Sequence, residues 1–259
     1  MTGPRVLAVM GSGETAPTMV KVHRALFERF PAADGPAVLL DTPYGFQANA
    51  DELTRRTVAY FAESVGRAVG VVSLRRPGPL DGLATEQLRL ELRRARLVYA
   101  GPGSPTYALR VWAGTPVPTE LATKLTDGPG CVLFSSAAAL TLGVVTVPVY
   151  EVYKVGEDPL WRPGLDLTRL TGLSVAVVPH YDNAEGGTHD TRFCYLGASR
   201  LAALEETLPD GAFILGVDEH TAAVFDLDLG EMTVAGRGVV TVRAGGSSTV
   251  FTSGSTTPT

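Results

Sequence analysis

The sequence predicts an α/β fold, a three-layer sandwich whose mainly parallel central sheet is covered by helices on both faces. Two observations predict it. Short runs that are apolar throughout alternate with longer amphipathic stretches across the first half; a strand without a polar face is buried on both sides, as parallel strands are. The unusual polar residues then fall in the loops that leave the C-terminal ends of those runs, where open α/β sheets carry their sites.

RVLAVM (5–10) reads as the first strand, and PTMVKVHRALFERF (17–30) as a helix opened by Pro17, whose fixed φ suits a first turn. AVLLD (37–41) is the second strand, followed by a helix from about Asn49 to Ser64. VGVVSL (69–74) is the third, and ATEQLRLELRRA (84–95) a helix with Leu88 and Leu92 one turn apart. LVYA (97–100) is the fourth, two short helices follow around Pro116 and Pro118, and CVLFSS (131–136) is the fifth. The strand-end loops of this half are GSGET, DTPYGFQAN, GPGSPTY and SSAAA.

In the second half, VVTVPVYEVYKV (144–155) reads as a strand or as an extended excursion over the surface. LSVAVVPHYD (173–182) is a strand ending at a His, TRFCYLGASRLAALEETL (191–208) a helix, and FILGVDEHTAAVFDL two strands around an acidic turn. EMTVAG and GVVTVRA suggest a C-terminal antiparallel β-hairpin. The Gly/Ser/Thr-rich segment 246–259 reads as a partly flexible tail. With no internal repeat and no linker composition, residues 1–259 are expected to form a single domain.

A net charge of −5, with no basic cluster larger than Arg93-Arg94-Ala95-Arg96, argues against nucleic-acid binding. Two cysteines, Cys131 and Cys194, make no disulfide framework and point to a reducing compartment. No run reaches the ~18 apolar residues of a membrane span, and the N-terminus goes straight into a strand pattern. The expected location is the cytoplasm, with no membrane partner.

In LFSSAAALTLG (133–143), an apolar strand runs into Ser135-Ser136 and then into a helix-prone alanine segment. Strand, small-residue turn and helix form the geometry of a nucleophile elbow, in which the turn exposes a hydroxyl and the helix N-terminus favours an oxyanion. Ser136, followed by Ala137-Ala138-Ala139, fits that geometry better than Ser135; the competing reading is that one serine merely caps the helix. His180 follows an apolar strand, and so does the acidic pair Asp218-Glu219, either of which has the right chemistry. A Ser, a His and a carboxylate at three strand ends can converge into a triad. His180, Asp182, Glu185, His189 and Asp190 also lie close in sequence, which leaves open a metal-dependent hydrolase using His180 and His189.

Ordered motifs from Val6 to Val224 resemble the dipeptidase E and cyanophycinase group of serine peptidases, whose fold is related to class I glutamine amidotransferases and is flavodoxin-like. GPGSPTYAL (101–109) is similar to the family's Gly-rich oxyanion loop, and SAAA (136–139) occupies the place of its Ser-Ala-Gly-Ala elbow. PHYDN (179–183) matches its Pro-His-aromatic motif, THDTR (188–192) resembles its Gly-Glu-Thr-Arg stretch, and GVDEHTA (216–222) is similar to its acidic motif. The resemblance implies Ser136, His180 and Glu219 as the catalytic triad, with the N–H groups of Gly103 and Ala137 as the oxyanion hole. It implies a small peptide or amide substrate cleaved next to an acidic residue, with Arg192, Glu14, Asp41 and Asn183 as substrate-binding residues. No cofactor and no metal are expected, and a homodimer is.

Two positions depart from the family pattern. Phe134 stands two residues before the nucleophile and Ala138 two after it, where the family carries glycine. Phe134 could reshape the turn or fill part of the pocket, which leaves open a catalytically altered or inactive relative that binds a small molecule. Tyr150, Tyr153 and Lys154 lie in a segment without a counterpart in the shorter dipeptidases and are expected as a lid, a dimer contact or a surface hairpin.

Overall fold

The structure is a computed structural model that describes residues 3–259. Strand β1 (Arg5–Met10) is buried from Val6 onward. Its Val6, Ala8 and Met10 pack into one apolar cluster and Leu7 and Val9 into another, the two-residue period of a strand covered on both faces. Helix α1 (Val20–Glu28), β2 (Ala37–Leu40), α2 (Ala50–Tyr60), β3 (Val69–Val72), α3 (Gly82–Arg94), β4 (Leu97–Ala100), α4 (Pro105–Trp112), α5 (Val117–Thr126) and β5 (Gly130–Ser135) follow in alternation. Val22, Leu26 and Phe27 of α1 cover one face of the sheet, while α3, α4 and α5 cover the other with Leu92, Trp112 and Leu121.

The second half adds α6 (Ser136–Leu140), β6 (Val145–Thr146), β7 (Arg162–Pro163), β8 (Val175–Val178), α7 (Gly197–Glu205), β9 (Phe213–Val217), β10 (Thr221–Asp226), β11 (Glu231–Gly236), β12 (Val239–Ala244), β13 (Ser247–Thr252) and β14 (Thr256–Pro258). These strands do not all join the first sheet. One sheet runs β14-β11-β10-β1-β5-β4-β2-β3, parallel from β1 through β3 and antiparallel on the other side. The other runs β13-β12-β9-β8-β6-β7. Val175 and Val177 of β8 and Leu215 and Val217 of β9 pack into the same cluster as Leu7, Val9 and Phe134, so the two sheets share one core. Helix α7 covers the far face of the second sheet with Leu201 and Leu204.

Three expectations for this half are corrected. EMTVAG and GVVTVRA are strands, but they do not pair with each other: β11 pairs with β10 and β14, and β12 with β9 and β13. The hairpin is β12–β13, turned by Gly245 and Gly246 with φ of 55° and 76°, the left-handed pair a tight hairpin requires. Residues 246–259, expected as a tail, hold two paired strands, and β13 and β14 each occupy a sheet edge. Third, the helix expected over 191–208 begins only at Gly197. Phe193, Cys194 and Tyr195 are left-handed, with φ of 60°, 56° and 66°, and apolar periodicity carries no sign of that.

Candidate active site

Ser136 ends β5 and begins α6, and it holds a φ of 49°, in the left-handed region that a non-glycine residue rarely adopts. That strain turns its hydroxyl out of the strand. Its Oγ lies 2.9 Å from His180 Nε2. Ser135, the residue at the cap position, makes no capping bond and is fully buried beside the Tyr99 hydroxyl, 3.4 Å away. The helix-cap reading therefore fails for both serines.

His180 follows β8 and is also left-handed, with φ 48°. The left-handed turn at 193–195 fixes it from outside: Cys194 N–H donates to the His180 carbonyl at 3.1 Å, and Phe193 N–H to the Tyr181 carbonyl at 3.0 Å. On the other side of the ring, His180 Nδ1 lies 2.6 Å from Glu219 Oε1. Glu219 sits where the chain crosses from β9 in the second sheet to β10 in the first. The His180 contact holds its carboxyl down to about 2, with the Asn183 amide, 3.1 Å from the same oxygen, acting in the same direction against burial. Asp218, the other acidic residue of the pair, accepts from Val239 N–H at 2.9 Å instead, and burial pushes it up to about 6.

Ser136 and His180 open on a cavity of about 470 Å³. Gly103 and Ala137 line it too. Gly103 has φ 135°, and a Cβ there would lie 2.0 Å from the Pro43 carbonyl oxygen, so only glycine brings the backbone this close. Neither the Gly103 N–H nor the Ala137 N–H is hydrogen-bonded among the described residues, whereas the Ala138 N–H is taken by the Gly101 carbonyl at 3.1 Å. Two residues with free N–H donors thus line the same cavity as the hydroxyl.

Phe134 stays out of the cavity. It points into the shared core, fully buried, with its ring 5.8 Å from that of Trp112. Strand alternation sends residue 134 to the core face, and its strand partners Ala100 and Val9, together with Ala138 nearby in the cluster, leave room for the ring.

The four residues expected to bind substrate are placed elsewhere. Arg192 lays its guanidinium on Asp190 in a two-pronged contact of 2.9 and 2.8 Å on the exterior, and it does not line the cavity. Asp41 is wholly buried and accepts from Ser73 Oγ at 2.8 Å, Leu74 N–H at 3.2 Å and Arg75 Nε at 2.6 Å. Asn183 is buried behind Glu219 and orients its carboxylate. Glu14 is buried behind the elbow, where desolvation pushes its carboxyl up against the opposing influence of His180 and Ser135. The sequence gives no signal for these placements, because each depends on a partner supplied by the fold.

The cavity wall holds other residues. Tyr150, Tyr153 and Lys154, from the segment expected as a lid or surface hairpin, line it. A π-type turn, Glu151–Val155, bends that segment onto the site. Tyr195, from the left-handed turn, lies between the His180 ring at 5.9 Å and the Tyr153 ring at 5.0 Å, and its hydroxyl donates to Glu185 at 2.8 Å. Cys194 also lines the cavity, but burial pushes its thiol up to about 12, far from the thiolate a nucleophile needs. Among the described residues no three His, Cys, Asp or Glu side chains gather as a metal-binding set, and His180 has both ring nitrogens engaged.

A solved structure of a peptidase from an acI-B1 Actinobacterium superposes on this chain with a TM-score of 0.76 at 20% identity, covering 99% of this chain and 97% of that one. A structure from Listeria monocytogenes EGD-e, provisionally described as a peptidase E, gives 0.51 at 13% identity over 96% and 99%. What the three share is the fold. No family model matches the sequence, and no curated protein does. No helix among the described residues is long and apolar enough to cross a membrane.

Proposed function

We propose that the protein is a serine hydrolase of the peptidase E and cyanophycinase type, which cleaves a small peptide or amide bond next to an acidic residue. The observation that carries this reading is the unbroken contact from Ser136 Oγ through the His180 ring to Glu219, beside a cavity, on a strained elbow. The fold shared with two structures described as peptidases supports it.

In this mechanism Ser136 Oγ attacks the substrate carbonyl carbon while its proton passes to His180 Nε2. Glu219 holds the tautomer with the proton on Nδ1 and stabilises the imidazolium that forms. The carbonyl oxygen becomes an oxyanion and accepts from the Gly103 and Ala137 N–H groups, a contribution of roughly 3 kcal/mol per donor in comparable sites. Nε2 then returns its proton to the leaving amine as the C–N bond breaks, leaving an acyl-serine. Water, activated by the same nitrogen, releases the acid and restores the hydroxyl. Lys154 is the cation on the cavity wall, resting over the Tyr153 ring at 4.6 Å, and it takes the role expected of Arg192 toward an acidic residue.

Covalent labelling with a fluorophosphonate tests the reading. The expected result is one adduct on Ser136, lost in Ser136→Ala and kept in Ser135→Ala. An adduct that survives Ser136→Ala, or one found on Ser135, overturns it.

A further inference from the structure

The cleft does not end at the oxyanion loop. A second chamber, of about 530 Å³, adjoins the first. Gly103 lines the first and Ser104 the second, and Tyr150 lines both. One segment therefore walls both chambers, with Tyr153 and Lys154 facing the first and Glu151 and Arg162 the second.

The second chamber carries two guanidinium groups and one carboxylate. Arg110 lies over the Tyr107 ring at 5.1 Å and has no carboxylate within ion-pair distance among the described residues. Arg162 has only Glu157, at 3.9 Å. Both forks are open to a planar anion, in contrast to Arg192 and Arg75, whose forks are occupied by Asp190 and by Asp41 and Asp51. Glu151 accepts from the Thr106 hydroxyl through Oε1 at 2.6 Å, while its Oε2 is buried with no hydrogen-bond partner. A buried carboxylate oxygen without a donor carries a desolvation penalty that a ligand N–H relieves. Phe46, 49% exposed and 5.1 Å from Tyr107, adds an apolar rim.

The geometry points to a second subsite, in which Arg110 and Arg162 hold a carboxylate of the substrate while an N–H of the same part donates to Glu151. This rests on the hydrolase reading, since it treats the chamber as the seat of a remote part of the cleaved molecule. The carboxylate belongs to an acidic side chain or to a chain terminus, and recognition falls beyond the residue held by Lys154. Substrates longer than the first chamber are therefore preferred.

The test uses the full chain as Ser136→Ala and a set of probe peptides: acetyl-tetra-alanine amide, the same peptide with one Asp at each position in turn, and its free-acid form. Dissociation constants are measured by calorimetry and, in the wild-type chain, hydrolysis rates are measured in parallel. One Asp position, or the free acid, is expected to bind about tenfold more tightly than the neutral amide, the worth of one charge-assisted hydrogen bond. Which of the two does so identifies the source of the carboxylate. In the double variant Arg110→Ala/Arg162→Ala, with both positions exposed, the ratio of neutral- to acidic-peptide dissociation constants is expected to fall from about ten to about one. Equal binding of acidic and neutral peptides, a preference that survives the double variant, or failure of every peptide to bind overturns the subsite. A binding preference without hydrolysis in the wild-type chain keeps the subsite and overturns the hydrolase reading, so the two failures are distinguishable.

Discussion

Asp41 and Glu219 look alike in the sequence, each an acidic residue directly past an apolar strand. The fold treats them oppositely. Asp41, at the end of β2, is wholly buried and saturated by a hydroxyl, a backbone N–H and the Arg75 guanidinium. Glu219, at the crossing between β9 and β10, is half-buried and faces an imidazole whose other nitrogen meets a hydroxyl. One carboxylate ends its hydrogen-bonding in a closed ion pair. The other begins a chain that runs out to a cavity. Position at a strand end is thus shared by structural and chemical sites. What separates them is whether the last group in the chain still has work left to do.

The largest test of this contrast is at the open end of that chain. Ser136→Ala is expected to lower kcat by at least ~10⁴-fold while leaving the folded circular dichroism signal unchanged; a variant with most of its turnover intact would remove Glu219 from the chemistry as well. Next, Glu219→Gln is expected to lower kcat by roughly 10³- to 10⁴-fold through loss of the imidazolium's counter-charge. Asp41→Ala is its counterpart and should lose stability instead, by about 3 kcal/mol in denaturant titration, because the Ser73 hydroxyl, the Leu74 N–H and Arg75 Nε lose their shared buried acceptor. Its turnover per folded molecule should hold, and loss of turnover without loss of stability would erase the distinction.

The pH dependence sharpens the contrast within the acidic pair itself. Glu219, held down to about 2 from 4.5, contributes stability that is fully present above pH 4.5 and is lost only as pH falls toward 2. Asp218, pushed up to about 6 from 3.8, has the opposite sign: its burial costs nothing below about pH 4 and weighs increasingly against folding as pH rises through 6. Asp218→Asn is therefore expected to raise Tm relative to wild type at pH 7.5 and not at pH 4, measured by scanning calorimetry; an equal shift at both values would reject the burial argument. The smallest effect is at Arg192. Because its fork is taken by Asp190, Arg192→Ala should leave KM within about twofold in steady-state kinetics.

The first half of the fold was legible because its signals are local. RVLAVM, AVLLD, LVYA and CVLFSS are apolar runs that match β1, β2, β4 and β5 within a residue or two. VGVVSL outran β3 by two residues. Ser136, His180 and Glu219 were legible as strand-end residues, and the structure brings them together. The rest depended on information that no window holds. Asp41 is held by Arg75, a residue far along the chain that nothing near Asp41 announces. Phe193, Cys194 and Tyr195 read as helix because apolar spacing is blind to the sign of φ, and their left-handed path is stabilised by contacts to His180 and Tyr181. The partners of β11 and β12 could not be read because alternation names a strand and not its neighbour.

Ser136 hangs from one sheet and His180 from the other, with Glu219 in the strand-to-strand crossing between them. The 2.9 Å contact of Ser136 with His180 is therefore also a seam between two sheets. Under the proposed function hydrolysis is a gauge of assembly: a slip of one sheet against the other that lengthens this contact is expected to silence the chain while every strand remains intact. Turnover, followed through mild heating, should then fade before the far-ultraviolet signal does, and coincident loss of the two would reject this coupling.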